Sequence, residues 1–303
     1  MVGGSNGKRQ AVAPGRNRVS MFSLVDVALD RRPFIGEKTG HLLLRTDSSL
    51  AGHTLSVMAE LPAVPGTEGR WAFEDIDGRP IAAGGDVTLP FDLEGLPPSI
   101  HNDMTISITI HGHGGVLAHS VLNKTHRFHR VPLPPKGAMV QPVQVDHARQ
   151  GLLVAGKPWA GVGWYVQSQQ GCCGPPACGP HKDDPAFGGH LSNLTDVVRV
   201  GMVPRGINVA MVYGIEQHPV AEQLAFLDDV AKDGFKVMYR LDVGNATAQK
   251  ETIDLLKDHQ SILGWYICDD CCSSAAQIAK QAQAYLAVKL LDPYHVRLRT
   301  PKH

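Results

Sequence analysis

Three apolar runs recur at a near-constant pitch in the second half of the chain. They are "INVAMVYGI" from Ile207, "FKVMYRLDV" from Phe235 and "ILGWYICDD" from Ile262, with starts 28 and 27 residues apart. Each is too continuously apolar to be a strand with one wet face, which marks strands buried on both sides, the habit of a parallel sheet. Successive parallel strands need a helical crossover, and helical patterns fill the gaps. In "AEQLAFLDDVAKDG", Leu224, Leu227 and Val230 share a face and Gly234 stands where a helix stops. In "AAQIAKQAQAYLAVKLLDP", Ile278, Ala282, Tyr285 and Leu286 share another, and Pro293 ends it. "GLLVAGKPWAGVGWYV" adds a hairpin, turning at Gly156-Lys157, that leads into a further buried strand. About four strand–helix units are therefore legible, near residues 160, 207, 235 and 262. A closed eight-stranded barrel takes about 250 residues, whereas roughly 150 follow the linker. This half reads as a partial (β/α)8 (TIM) barrel or a small open sheet, and "DPYHVRLRTPKH" stops where a fifth strand would begin.

The first half follows a different rule. "DMTISITIHG" alternates Met104, Ile106, Ile108 and Ile110 with Thr105, Ser107 and Thr109, a strand with one buried face. "WAFEDIDGRPIAA" sets Asp-Gly between two short runs, a hairpin signal. "HLLLRTD", "LSVMAEL" and "VLNKTHRFHRV" bring the expectation to six or seven short strands with no helical pattern, an immunoglobulin-like β-sandwich. "VPLPPKGAMVQPVQVD" reads as a Pro-rich linker. The expected organisation is multidomain, β followed by α/β: a disordered tail over residues 1–20, the sandwich over 21–140 and the partial barrel over 141–303.

Composition narrows the partners. Lys plus Arg and Asp plus Glu are both 29, so no net field draws the chain to nucleic acid or an anionic membrane surface. No apolar run is long enough to span a bilayer, and the first residues carry no signal-peptide core. Three N-x-S/T sequons, at Asn123, Asn193 and Asn245, and an even count of 6 cysteines point instead outside the cell, so localisation stays open.

"SILGWYICDDCCSS" concentrates the chemistry. Cys173-x4-Cys178 and Cys268-x2-Cys271 have the separations of a four-thiolate zinc site, with His181 and His190 nearby, while disulfides and free thiols are competing readings. In the sandwich, His111, His113, His126 and His129 read as exposed strand positions, and His111 and His113 share a face. The adjacent carboxylates of Asp269 and Asp270 point to opposite faces of a strand and so cannot themselves form a catalytic pair.

"HARQGLLVAGKPWAGVGWYV" resembles the hairpin and first barrel strand of the β-galactosidase and β-glucuronidase type of glycoside hydrolases, which follow an immunoglobulin-like domain. "DHQSILGWYICDD", followed by "LLDPYHV", is similar to text of uncharacterised relatives in that clan, and the resemblance covers about residues 40–296. It implies retaining hydrolysis of O-glycosidic bonds, no cofactor, and a carbohydrate or glycoconjugate as partner. Asp270 takes the acid/base position and Asp269 its neighbour. Retention needs a second carboxylate about 5–5.5 Å from the acid. In this clan it comes from strand seven, beyond the four units legible here. Asp270 is also one methylene shorter than the family's Glu, and the family's following Pro is Cys271. The expectation is a truncated glycosidase with impaired catalysis; a non-catalytic carbohydrate-binding or scaffold protein, and a cysteine-based metal or redox module, are the alternatives. Trp164, Tyr165, Trp265 and Tyr266 near strand ends are candidates to stack on sugar rings, or core aromatics. Tyr213, Arg240 and Asp242 are candidates to reach sugar hydroxyls. The sides of a half barrel would lie open and invite self-association.

Overall fold

The computed structural model of the protein describes residues 25–61, 71–72, 81–96, 98–111, 120–167, 191–241, 244–268 and 274–299. The expected tail over 1–20 lies outside them. The described residues are mostly β, with the α-helices among them confined to the second half. No helix among the described residues is long and apolar enough to cross a membrane.

The first half builds two sheets. Val25–Leu29, Thr39–Thr46 and Asp86–Asp92 form a three-stranded antiparallel sheet. The other runs in the order Phe34–Ile35, Ser120–Val131, Ser99–His111, Thr54–Leu61 and Trp71–Ala72. The alternation read from "DMTISITIHG" holds: Met104, Ile106, Ile108 and Ile110 are all 0% exposed. They share one core with Val27, Leu42, Leu44 and Phe91 of the opposite sheet, where Phe34 meets Phe91 edge-on at 5.9 Å between ring centroids. Each large apolar side chain so buried contributes roughly 1.5–3 kcal/mol.

The text read as an Asp-Gly hairpin is described only at its two ends. Trp71–Ala72 pairs with Glu60 and Leu61, and Ile81–Ala82 pairs with Thr54 and Leu55. Both pieces are antiparallel to Thr54–Leu61 and hence run in the same direction, as one interrupted edge strand. The eight-residue Thr54–Leu61 strand offers a long ladder of backbone partners to both pieces. The Asp-Gly pair lies outside the described residues.

The linker ends in structure. Val143–Asp146 pairs with Arg31–Arg32 on one side and Gly151–Val154 on the other, and Lys157–Trp159 completes this four-stranded sheet. The hairpin turns one residue earlier than expected, at Ala155 (φ 48°) and Gly156 (φ 75°). Two successive positive φ values give the twist that a two-residue connection between antiparallel strands requires.

The second half is a five-stranded parallel sheet that curls into a half-barrel, with strands in sequence order: β1 (Gly163–Gln167), β2 (Val209–Tyr213), β3 (Lys236–Arg240), β4 (Ile262–Cys268) and β5 (Val296–Arg299). β5 is the fifth strand, formed by the text expected only to approach one. α1 (Leu191–Asp196), α2 (Val220–Lys232), α3 (Ala246–Leu256) and α4 (Ala275–Leu291) lie in the connections. Gly234 at φ 69° terminates α2 as expected. Asn245 caps α3, its side-chain oxygen accepting from the N–H groups of Thr247 and Ala248, each at 3.1 Å.

The face expected for α4 is rotated. Ile278 is 44% and Leu286 36% exposed, while Gln281, Val288 and Lys289 are buried. The buried side meets polar groups, including a contact from the Lys289 ammonium to His129, so hydrophobic spacing alone mis-sets its phase. That contact also buries His129, against its expected exposure.

Candidate functional site

Alternation along the parallel strands separates two faces. Ala210, Val212, Val237, Tyr239, Trp265 and Ile267 face the helices and form one core with Phe226, Leu227, Ile253 and Val288. Val209, Met211, Met238, Leu263 and Val296 face the concave side, against Val143, Val154 and Trp159. On that concave side the register sets rows. Tyr165, Met211, Met238, Gly264 and Val296 form one; Tyr213, Arg240 and Tyr266 belong to the next, nearer the C-terminal strand ends.

The second row carries a cluster. The rings of Tyr165 and Tyr213 lie 5.8 Å apart between centroids, and the Arg240 guanidinium sits over the Tyr213 ring at 4.1 Å. Arg240 Nη1 pairs with Glu216 Oε1, and Glu216 stands on the turn Ile215–Gln217 that follows β2. The other carboxylate oxygen, Glu216 Oε2, is buried with no hydrogen-bond partner among the described residues. A desolvated acceptor of this kind favours any ligand that brings a donor. Opposite charges cancel within the Arg240–Glu216 pair, so the cluster offers aromatic faces, guanidinium donors and a carboxylate acceptor without a net charge. That combination suits a polyhydroxylated, neutral ring.

The remaining candidates are placed as follows. Tyr266 lies in the same row and is 3% exposed. Trp265 lies on the helix side, fully buried, with its indole N–H donating to Asp292 Oδ2 at 2.6 Å. Trp164, in register with Ala210, belongs to the helix side of the edge strand β1 and is 61% exposed. Asp242, Asp269, Asp270, Cys173, Cys178 and Cys271 lie outside the described residues, as do His113, His181 and His190. Cys268 is the last residue of β4. No group of three or more metal-ligating side chains occurs among the described residues.

Sequence reasoning missed Glu216. It sits three residues beyond the end of β2, in no motif, and the available signal was only its position just past a parallel strand's C-terminal end, where such folds gather functional side chains. Its charge reaches through the sheet: burial and the Glu216 carboxylate push the Tyr239 phenol well above its ordinary value. Tyr239 itself faces the helices and donates to Gln223 Oε1 at 2.5 Å.

No protein-family model and no curated protein matches this chain. Among solved structures it is similar to a β-glucuronidase from Ruminococcus gnavus, at 12% identity and a TM-score of 0.36 over 88% of this chain and 41% of that one. It is also similar to a glycosyl hydrolase family 2 member from Bacteroides cellulosilyticus, at 11% identity and a TM-score of 0.35 over 90% of this chain and 35% of that one. An exo-chitosanase from Amycolatopsis orientalis matches at 14% identity and a TM-score of 0.33, over 91% and 32% respectively. The chain thus spans less than half the length of each of these proteins.

Proposed function

We propose that this chain is a glycoside-hydrolase-like protein in which an immunoglobulin-like sandwich, over about residues 21–140, precedes strands of a (β/α)8 barrel over about 141–303. The C-terminal strand ends then form a carbohydrate site. The supporting observation is the Tyr165–Tyr213–Arg240–Glu216 cluster on the concave face at those ends, the position where barrel enzymes assemble their sites. Asp270 is the proposed acid/base residue, with Asp269 its neighbour and Asp242 a further polar contact. This rests on the resemblance of "GWYICDD" and on the place of these residues just beyond β3 and β4. The proposed partner is a carbohydrate or glycoconjugate.

A panel of aryl glycosides together with glycan-array binding tests the reading. Turnover abolished by Asp270→Ala supports hydrolysis. Glycan binding without turnover, lost on Tyr213→Ala, supports the non-catalytic alternative. Neither binding nor turnover with any glycan removes both. Self-association through β1 and β5, each paired on one side only among the described residues, belongs to the same proposal. A monomer in analytical ultracentrifugation at high micromolar concentration would exclude it.

A further inference from the structure

A second concavity lies at the opposite end of the parallel strands, between their concave face and the four-stranded sheet that ties them to the first half. Its volume is about 870 Å³, within the roughly 300–1,000 Å³ usual for small-molecule sites, and junctions between structural units are a common location for them. Val209, Met238 and Leu263 give it an apolar wall.

Its polar groups are out of balance. The acid on its wall, Asp146, is taken by Arg149, which holds it through a guanidinium contact at 2.9 Å and a backbone N–H at 3.0 Å. Arg32, on the same wall, forms no ion pair among the described residues, and its Nε is buried without a hydrogen-bond partner. His295 also lines the cavity. It is 2% exposed, its Nδ1 is bound to Asp292 at 2.6 Å, and its Nε2 is buried without a partner among the described residues. Arg32 as a whole is half-buried, and its buried Nε lacks a compensating acceptor, which is costly. Its charge is felt nearby: after burial, Arg32 is the next largest influence lowering the affinity of His126 and of His147 for a proton.

The geometry points to a binding site for an organic anion, a carboxylate or similar acid carried on an apolar body, with the acid on Arg32 and the body against Val209, Met238 and Leu263. The orphaned Arg32 and His295 nitrogens supply what an acid recognises, and the apolar wall selects for more than a bare ion. This inference does not rest on the carbohydrate reading, because the two sites lie at opposite ends of the strands.

Isothermal titration of the full chain with octanoate, octan-1-ol and acetate tests it. Octanoate is expected to bind at least tenfold more tightly than either comparator, because octan-1-ol lacks the charge and acetate the body. Arg32→Met should weaken octanoate about tenfold to a hundredfold, the range of a charge-assisted hydrogen bond. Arg32→Lys should recover part of it. Equal affinity for octanoate and octan-1-ol, no octanoate binding at millimolar concentration, or unchanged affinity in a folded Arg32→Met protein would overturn the proposal. Should Arg32→Met fail to fold by circular dichroism, the three-ligand comparison on the unaltered chain decides.

Discussion

Asp292 carries the most heavily committed polar group in the α/β half, and its removal gives a sharp test of the packing described above. It is 1% exposed. Its Oδ2 accepts from Trp265 Nε1 at 2.6 Å and meets His295 Nδ1 at 2.6 Å, and its Oδ1 accepts from the Tyr294 N–H at 3.0 Å. Asp292→Ala strands a buried indole N–H and leaves the imidazole without its carboxylate, a loss of about 3–5 kcal/mol. Asp292→Asn keeps the shape but has one carbonyl oxygen, so at least one donor meets an NH2 group, at about 1–3 kcal/mol. Urea unfolding at neutral pH measures both, with an unchanged denaturant slope showing that stability itself has moved. The pH dependence is a second, independent reading. Burial alone would raise the Asp292 pKa, but His295, Trp265 and the Tyr294 N–H together hold it below its ordinary value. The unfolded chain therefore takes up this proton first as pH falls, near pH 4. The contribution of Asp292 is full above that range and is lost as pH falls through the lower folded value. The stability difference between the natural chain and Asp292→Asn should thus shrink on acidification. A cost below about 1 kcal/mol for Asp292→Ala, or a difference flat from neutral to acid pH, would refute this account.

Gly264 of β4 stands against the backbone of β5: a Cβ there would meet the Val296 carbonyl oxygen at 2.4 Å. Gly264→Ala should cost about 1–3 kcal/mol by forcing β5 away, and a midpoint shift too small to measure in urea would sink that reasoning. Asn245→Ala removes the α3 cap at a cost of about 1 kcal/mol; amide exchange in the first turn of α3 should accelerate, and unchanged exchange would count against it. Tyr213→Ala removes the ring beneath Arg240 and should reduce glycan affinity about tenfold while leaving the urea midpoint nearly unchanged, whereas equal losses in both would make Tyr213 a structural residue.

What was legible in the sequence follows from how locally each feature is encoded. The strands at Val209, Lys236 and Ile262 were visible because burial on both faces keeps their interiors apolar, and Met104 to Ile110 because one buried face enforces a period of two. The phase of α4 was not, since polar Gln281 and Lys289 are buried, Lys289 against His129, which lies far away in sequence. The pairing of Trp71 and Ile81 was not legible for a related reason: a separate strand, Thr54–Leu61, decides it. In the concave cluster, the contact of Tyr213 with Arg240 follows from their place at neighbouring strand ends, yet the pairing of Arg240 with Glu216 depends on a turn whose side chain has no sequence signature.

Glu216 also connects the two faces of the sheet, which alternation otherwise keeps apart. Arg240 and Tyr239 are neighbours in β3, one turned to the concave cluster and the other to Gln223 in the helix layer. Glu216 pairs with the first and, through its charge, adds to the burial that raises the second. Neutralising it should therefore register on both sides at once. In Glu216→Gln the Tyr239 phenol loses the electrostatic part of its upward shift and should ionise at lower pH in an ultraviolet alkaline titration, though still above an ordinary tyrosine because burial, the larger cause, remains. Arg240, released from its carboxylate, should turn the cluster from neutral to cationic and shift its preference from neutral sugars toward acidic ones. A Tyr239 titration that does not move would show that the carboxylate acts on Arg240 alone. An unmoved sugar preference would show that Arg240 takes no part in selecting the ligand, and the concave cluster would then have to bind through its tyrosines alone.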